Sequence, residues 1–164
     1  MAHTLTLTIT ADILASEADL TPAETATWQA ARAATATSHS PYSHFQVGAA
    51  LLLDDGTTFG GSNQENAAYP SGLCAERTAL FGLAVSQPQR RIVGMAVAAR
   101  PAGGNFGPAN PCGACRQVMA EYEQRQQQPI PLLLPGPDGA IYRFSSLSAL
   151  LPFGFSADDL PKLK

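Results

Sequence analysis

Cysteine is scarce in this chain, with three among 164 residues. An odd count leaves no complete disulfide framework, which argues against the stapled architecture of small secreted domains. Charge is scarce as well: 14% of residues are charged, the net charge is -3, and no stretch clusters Lys and Arg. A protein that grips a phosphate backbone carries a basic face, so nucleic acid is not expected as a partner. No uninterrupted apolar run approaches the ~18 residues of a membrane span. Residues 1–10 alternate threonine with apolar side chains and lack a basic region, unlike a secretion signal. What remains is 45% hydrophobic and long enough for a real core, which excludes a disordered chain. These absences point to one domain acting on a small, weakly charged substrate in a reducing compartment, the cytoplasm.

Periodicity divides the chain into elements. Residues 3–10 alternate like a short strand with one buried face, so 1–20 reads as an N-terminal extension that adds an edge strand. Residues 21–164 read as a single domain. A helix is expected over 21–37, with Thr21 as N-cap, Pro22 in the first helical position and Glu24 closing a capping box. A hairpin is expected from strands at 45–53 and 58–63 around the turn Asp54-Asp55-Gly56-Thr57. Helices follow at 73–86 and 112–127, with strands at 92–99, 130–134 and 140–144 and a short helix at 146–151. The loop 101–111 is rich in Gly, Pro and Asn. The glutamine-rich patch 124–128 reads as a solvated helix end. Strands separated by helices predict a three-layer α/β/α domain around a mixed sheet.

The cysteines carry the chemistry. Cys74 opens Cys74-Ala75-Glu76-Arg77, and Cys112 and Cys115 sit in Pro111-Cys112-Gly113-Ala114-Cys115-Arg116. Both motifs fall at expected helix starts, where free N–H groups and partial positive charge favour thiolates. Cys112 and Cys115 are three residues apart and share a helical face. Three thiolates on one Zn²⁺ leave a fourth position open, as catalytic zinc sites require. Glu76 is then placed to move protons at that opening; alone, it is an ordinary helix-N-terminal glutamate. Three thiolates and one Zn²⁺ sum to -1, so a cation should sit close by. Arg77 and Arg116 are both candidates to donate to the sulfurs, and either is also readable as a surface arginine. A closed structural site would need His3, His39 or His44 as fourth ligand, and none has regular spacing to the cysteines.

Five blocks in this order resemble the cytidine deaminases, the small homotetrameric free-nucleoside enzymes of the zinc-dependent deaminase superfamily. They are Pro41-Tyr42-Ser43-His44-Phe45-Gln46-Val47-Gly48-Ala49-Ala50-Leu51, Asn63-Gln64-Glu65-Asn66-Ala67-Ala68-Tyr69-Pro70, Cys74-Ala75-Glu76-Arg77-Thr78-Ala79, Pro111-Cys112-Gly113-Ala114-Cys115-Arg116-Gln117 and Leu150-Leu151-Pro152-Phe153-Gly154-Phe155. The resemblance implies a cytidine-deaminase-like α/β/α domain with a mixed five-stranded core sheet. It implies one Zn²⁺ per chain on Cys74, Cys112 and Cys115, with Glu76 as proton shuttle and Arg77 offsetting the thiolate charge. Phe45 and Ala75 match positions near the base, and Asn63 and Glu65 match the pair that bonds the ribose hydroxyls. Ala67 and Tyr69 match positions that reach a neighbour's nucleoside. Phe155 matches an aromatic that stacks on the base from another subunit of a homotetramer, with Phe153 a competitor for that role. Asn110 departs from the family, which has a small hydroxyl residue there. The implied reaction is hydrolytic deamination of cytidine and 2′-deoxycytidine. The alternatives are a related small-substrate enzyme such as a blasticidin S deaminase, and a non-catalytic zinc-stabilised binding module.

Overall fold

The computed structural model describes residues 2–161. Its elements in chain order are β1 (Asp12–Leu14), α1 (Pro22–Ala34), β2 (Phe45–Leu53), β3 (Thr58–Ser62), α2 (Ala75–Ser86), β4 (Ile92–Pro101), α3 (Gly113–Gln126), β5 (Leu132–Pro135) and β6 (Ile141–Phe144). The strands form one sheet in the order β1-β6-β5-β4-β2-β3. Only β4 and β5 run parallel; every other neighbouring pair is antiparallel.

Side-chain alternation along the strands builds three layers. Ala49, Leu51, Leu53, Met95, Val97, Leu132 and Leu134 face α2 and α3, where they pack with Leu80, Leu83 and Met119. Ala50, Ala96, Ala98 and Leu133 face the other way and pack with Trp28 and Ala31 of α1. The α1 face is lined mainly by alanine, so that helix lies close to the sheet. Gly48 makes the closest approach, since a Cβ there would sit 2.1 Å from the Ala31 carbonyl oxygen. The capping box forms as expected: Glu24 N–H donates to Thr21 Oγ1 at 3.3 Å, and Thr21 N–H donates to Glu24 Oε2 at 2.8 Å.

The sheet has six strands where five were expected, and the sixth is the edge strand β1. That strand is not where alternation put it. Residues 2–11 form no regular element, and Leu5, Leu7 and Ile9 are exposed. Only Asp12–Leu14 pairs; its partner β6 ends at Phe144, one position past the Arg143 that faces Asp12, and so offers no ladder to residues 3–10. Alternation suits a strand, but a strand exists only where a neighbour accepts its hydrogen bonds. The glutamine patch also differs from expectation. Gln126 accepts from Ile92 N–H at 3.2 Å and donates to Ile92 O at 2.8 Å, tying the end of α3 to the start of β4. Among the described residues no helix is long and apolar enough to cross a membrane.

Candidate metal centre and substrate cleft

Two helix starts converge at one end of the sheet. Cys74 and Cys112 are the N-cap residues of α2 and α3, both extended in backbone conformation, and neither side chain caps its own helix. Both sulfurs are therefore free to point elsewhere. Cys115 lies one turn into α3 and is fully buried. Upstream of α2, Gln64 and Leu73 exchange two backbone hydrogen bonds of 2.8 and 2.9 Å. This pinches the loop between them, so that Cys74 follows directly from the end of β3.

The Cys74 and Cys112 sulfurs are 3.8 Å apart, those of Cys112 and Cys115 are 3.5 Å apart, and all three lie within 4.8 Å of one another. None is in a disulfide. For an ion held at about 2.3 Å by tetrahedrally placed thiolates, the sulfur–sulfur edge is about 3.8 Å. The cage thus has the dimensions of a metal site. Among the described residues no histidine or carboxylate joins it as a fourth ligand. Even without an ion the sulfurs are unequal. Cys74 is pulled down to about 5, chiefly by a hydrogen bond from the Cys115 thiol, with Arg77 assisting against the effect of burial. The same bond pushes Cys115 above the ordinary thiol range.

The two arginines differ in geometry. Arg77 Nη2 donates to Cys74 Sγ at 3.9 Å and to the Gly72 carbonyl at 3.5 Å. Arg116 turns away: its Nε donates to Pro111 O at 2.9 Å and its Nη1 to Leu150 O at 3.2 Å. It braces the chain that precedes Cys112 against the C-terminal segment.

A cleft of about 740 Å³ opens over Cys74 and Cys112. Glu76, in the first turn of α2, lines it while only 4% exposed. Burial raises its pKa above the ordinary carboxylate value, and the charge of Cys74 adds to that. Phe45, Asn63, Glu65 and Tyr69 also line the cleft. The Asn63 amide behaves as one more rung of the β2–β3 ladder. Its Nδ2 donates to Phe45 O at 2.9 Å, and its Oδ1 accepts from Val47 N–H at 2.9 Å and Ser38 Oγ at 2.5 Å. One amide N–H is left for other use. Glu65 accepts from the Ser43 hydroxyl, from Tyr42 N–H at 2.9 Å and from Ser43 N–H at 3.3 Å, and these bonds hold its pKa below the usual value.

Other expected site residues stand apart. The Ala75 side chain is fully buried in the core and Ala75 does not line the cleft; its backbone N–H is one of the unpaired donors at the start of α2. Ala67 is exposed and does not line the cleft, whereas Tyr69 lines its own chain's cleft. Phe153 and Phe155 are 84% and 60% exposed and lie outside it. Phe153 also holds a left-handed backbone, φ 58°. Tyr42 was not singled out from sequence, yet it lines the cleft and meets Tyr69 edge-on with ring centroids 5.9 Å apart. Its position in the Pro41-Tyr42 block was the available signal.

Comparison with known proteins agrees with this geometry. Residues 22–128 match the family model of the cytidine and deoxycytidylate deaminase zinc-binding region. The cytidine deaminases of Sporosarcina psychrophila and Halalkalibacterium halodurans are each 47% identical over 120 residues, covering 73% of this chain and 82% and 84% of theirs. The crystal structure of the Burkholderia pseudomallei cytidine deaminase superposes with a TM-score of 0.67 at 41% identity, covering 79% of this chain and 97% of that one. The Mycobacterium tuberculosis enzyme superposes at 0.59 with 36% identity, covering 79% and 94%. With its sulfur cage, buried glutamate and three layers, the chain belongs to the cytidine and deoxycytidylate deaminase family of hydrolases.

Proposed function

We propose that the protein hydrolyses free cytidine and 2′-deoxycytidine to uridine and 2′-deoxyuridine, releasing ammonia. The observation that carries this reading is a three-sulfur cage of tetrahedral edge length sharing a cleft with a buried carboxylate. Cys74, Cys112 and Cys115 would hold one zinc ion. Zinc held there would supply a Lewis acid that acidifies water.

The chain's own residues do the rest. Glu76 takes a proton from the attacking water and delivers it to N3 of the base as oxygen adds to C4. It then takes the remaining proton from the C4 hydroxyl and passes it to the departing amine, and the C4–N bond breaks to leave a carbonyl. Its burial favours this role, because a raised pKa brings the carboxyl nearer to neutral pH. Arg77 offsets thiolate charge that would otherwise blunt the metal's electrophilicity. Phe45 packs against the base and the Ala75 N–H reaches its edge. Glu65, with acceptor capacity remaining, and the spare N–H of Asn63 take the ribose hydroxyls.

Residues 21–164 form the catalytic unit, which we infer works as a homotetramer. Phe155 would then stack on a nucleoside in a neighbouring subunit's cleft, and Ala67 and Tyr69 would approach the same junction. The exposure of Phe155, Phe153, Phe81 and Val85 supports an associating surface. Three free thiols fit the reducing cytoplasm. Purified protein assayed on cytidine, deoxycytidine and cytosine, with metal content measured on the same sample, tests the reading. Turnover of both nucleosides with one zinc per chain is expected; absence of turnover in zinc-replete protein rejects it.

A further inference from the structure

A second cavity, of about 630 Å³, lies at the same end of the sheet on the α1 face. It opens at the carboxyl ends of β4 and β5, the sheet's parallel pair. Crevices outside strand carboxyl ends are where open α/β sheets tend to take ligands. Its walls include Trp28, Arg32, Arg100, Phe106, Pro108 and Asp138.

Two guanidinium groups flank one ring there. Arg32 Cζ is 4.3 Å and Arg100 Cζ 5.1 Å from the Phe106 centroid. Their charges are not equally balanced. Arg32 pairs with Glu17, which also lines the cavity. Arg100 is half-buried, and its recorded bond is from Nε to the neutral Gln46 Oε1 at 3.1 Å. Among the described residues it has no carboxylate partner. The remaining acid, Asp138, is exposed in the turn at the rim. A half-buried guanidinium with its fork unpaired matches the geometry of an oxyanion.

The geometry points to a binding site for a small molecule bearing a phosphate or carboxylate, anchored on Arg100 and stacked beside Phe106. Occupancy would be felt in the catalytic cleft. Pro108 lines both cavities, and the loop that carries it also supplies Ala109 and Asn110 to the cleft. Gln46, which holds Arg100, follows Phe45 directly in β2. An anion that draws Arg100 and Phe106 inward therefore pulls on two walls of the cleft at once.

Trp28 is the only tryptophan in the chain and lines this cavity, so intrinsic emission reports on it directly. Zinc-replete protein is titrated with inorganic phosphate and, separately, with acetate, at ionic strength held constant with chloride. A saturable emission change with a midpoint below about 10 mM is expected for one of them, and which one identifies the anion class. In Arg100→Met the midpoint should rise at least about tenfold; Arg100→Lys, which keeps the charge and loses the fork, should fall between. A response that never saturates, or one unchanged in both variants, overturns the site. At saturating anion the KM for cytidine should move by about fivefold in the parent protein and stay fixed in Arg100→Met. An unmoved KM with binding intact overturns the coupling through the loop. The emission readout does not depend on turnover, so it stands apart from the test of the deaminase reading.

Discussion

Arg77 and Cys74 sit one helical turn apart at the start of α2, and the guanidinium of one donates to the sulfur of the other at 3.9 Å. The contact ties charge balance at the cage to a residue that is not itself a ligand. Arg77→Gln should lose about 10- to 100-fold in zinc affinity or in kcat while the fold persists. Competition with a chromophoric chelator measures the first and steady-state kinetics the second. Unchanged values in both would mean that the arginine is a surface residue.

Glu76 is assigned the proton transfers and no part in holding the ion. Glu76→Gln preserves its shape and burial and removes its basicity. The expected result is full zinc content, an unchanged melting temperature and a kcat lower by about 10²- to 10⁴-fold. A near-parental rate would transfer the role to another group.

Glu123 lies far from the chemistry in function but holds the back of α3 in place. Its carboxylate accepts from Ile130 N–H and Leu147 N–H, both at 2.8 Å, from Ser146 Oγ at 2.6 Å and from Ser148 N–H at 3.3 Å. Burial acts to raise its pKa, yet these bonds outweigh it and the folded-state value is depressed. A depressed carboxylate pKa stabilises the fold above the unfolded value of about 4.3, and that stability is lost as pH falls through the folded value. Glu123→Gln should therefore cost about 1–3 kcal/mol at neutral pH, with the difference from the parent shrinking below pH ~4. Urea denaturation at several pH values checks both the size and the sign. A pH-independent difference would show that the loss comes from packing alone.

Gly48 is where α1 and the sheet nearly touch. A methyl group there would lie 2.1 Å from Ala31 O and 2.8 Å from Thr35 N, both backbone atoms that cannot swing aside. Gly48→Ala should lower stability by about 1–3 kcal/mol or more through overpacking. Thermal unfolding reads this directly. Gly56→Ala, by contrast, meets open space but must hold φ +82°, so its penalty should be backbone strain in the turn without displacement of α1.

Much of this molecule follows from local rules. The Thr21–Glu24 box, the turn around Gly56 and the alternation of 45–53 each act through near neighbours, so a linear reading places them. The gathering of the cysteines was legible too, because a C-x-x-C at one helix start and a lone cysteine at another suit one shared site. Residues 3–10 show the opposite case: their alternation is intact, but β6 is too short to pair with them. Gln126 likewise reads as solvent-facing until β4 comes beside it.

What the sequence determined alone was the donor set, the helix starts that favour thiolates and the order of the elements, since each depends on residue type and spacing. What only the tertiary structure decided was which arginine meets the sulfurs, that Tyr42 joins Tyr69 in walling the cleft, and that Asn63 commits most of its amide to the β2 backbone. Arg77 and Arg116 each end a cysteine motif, three residues after Cys74 and one after Cys115, and the sequence alone leaves both as candidates. They part because α2 presents Arg77 to the Cys74 sulfur, while the C-terminal segment folds back to offer Arg116 the carbonyl of Leu150.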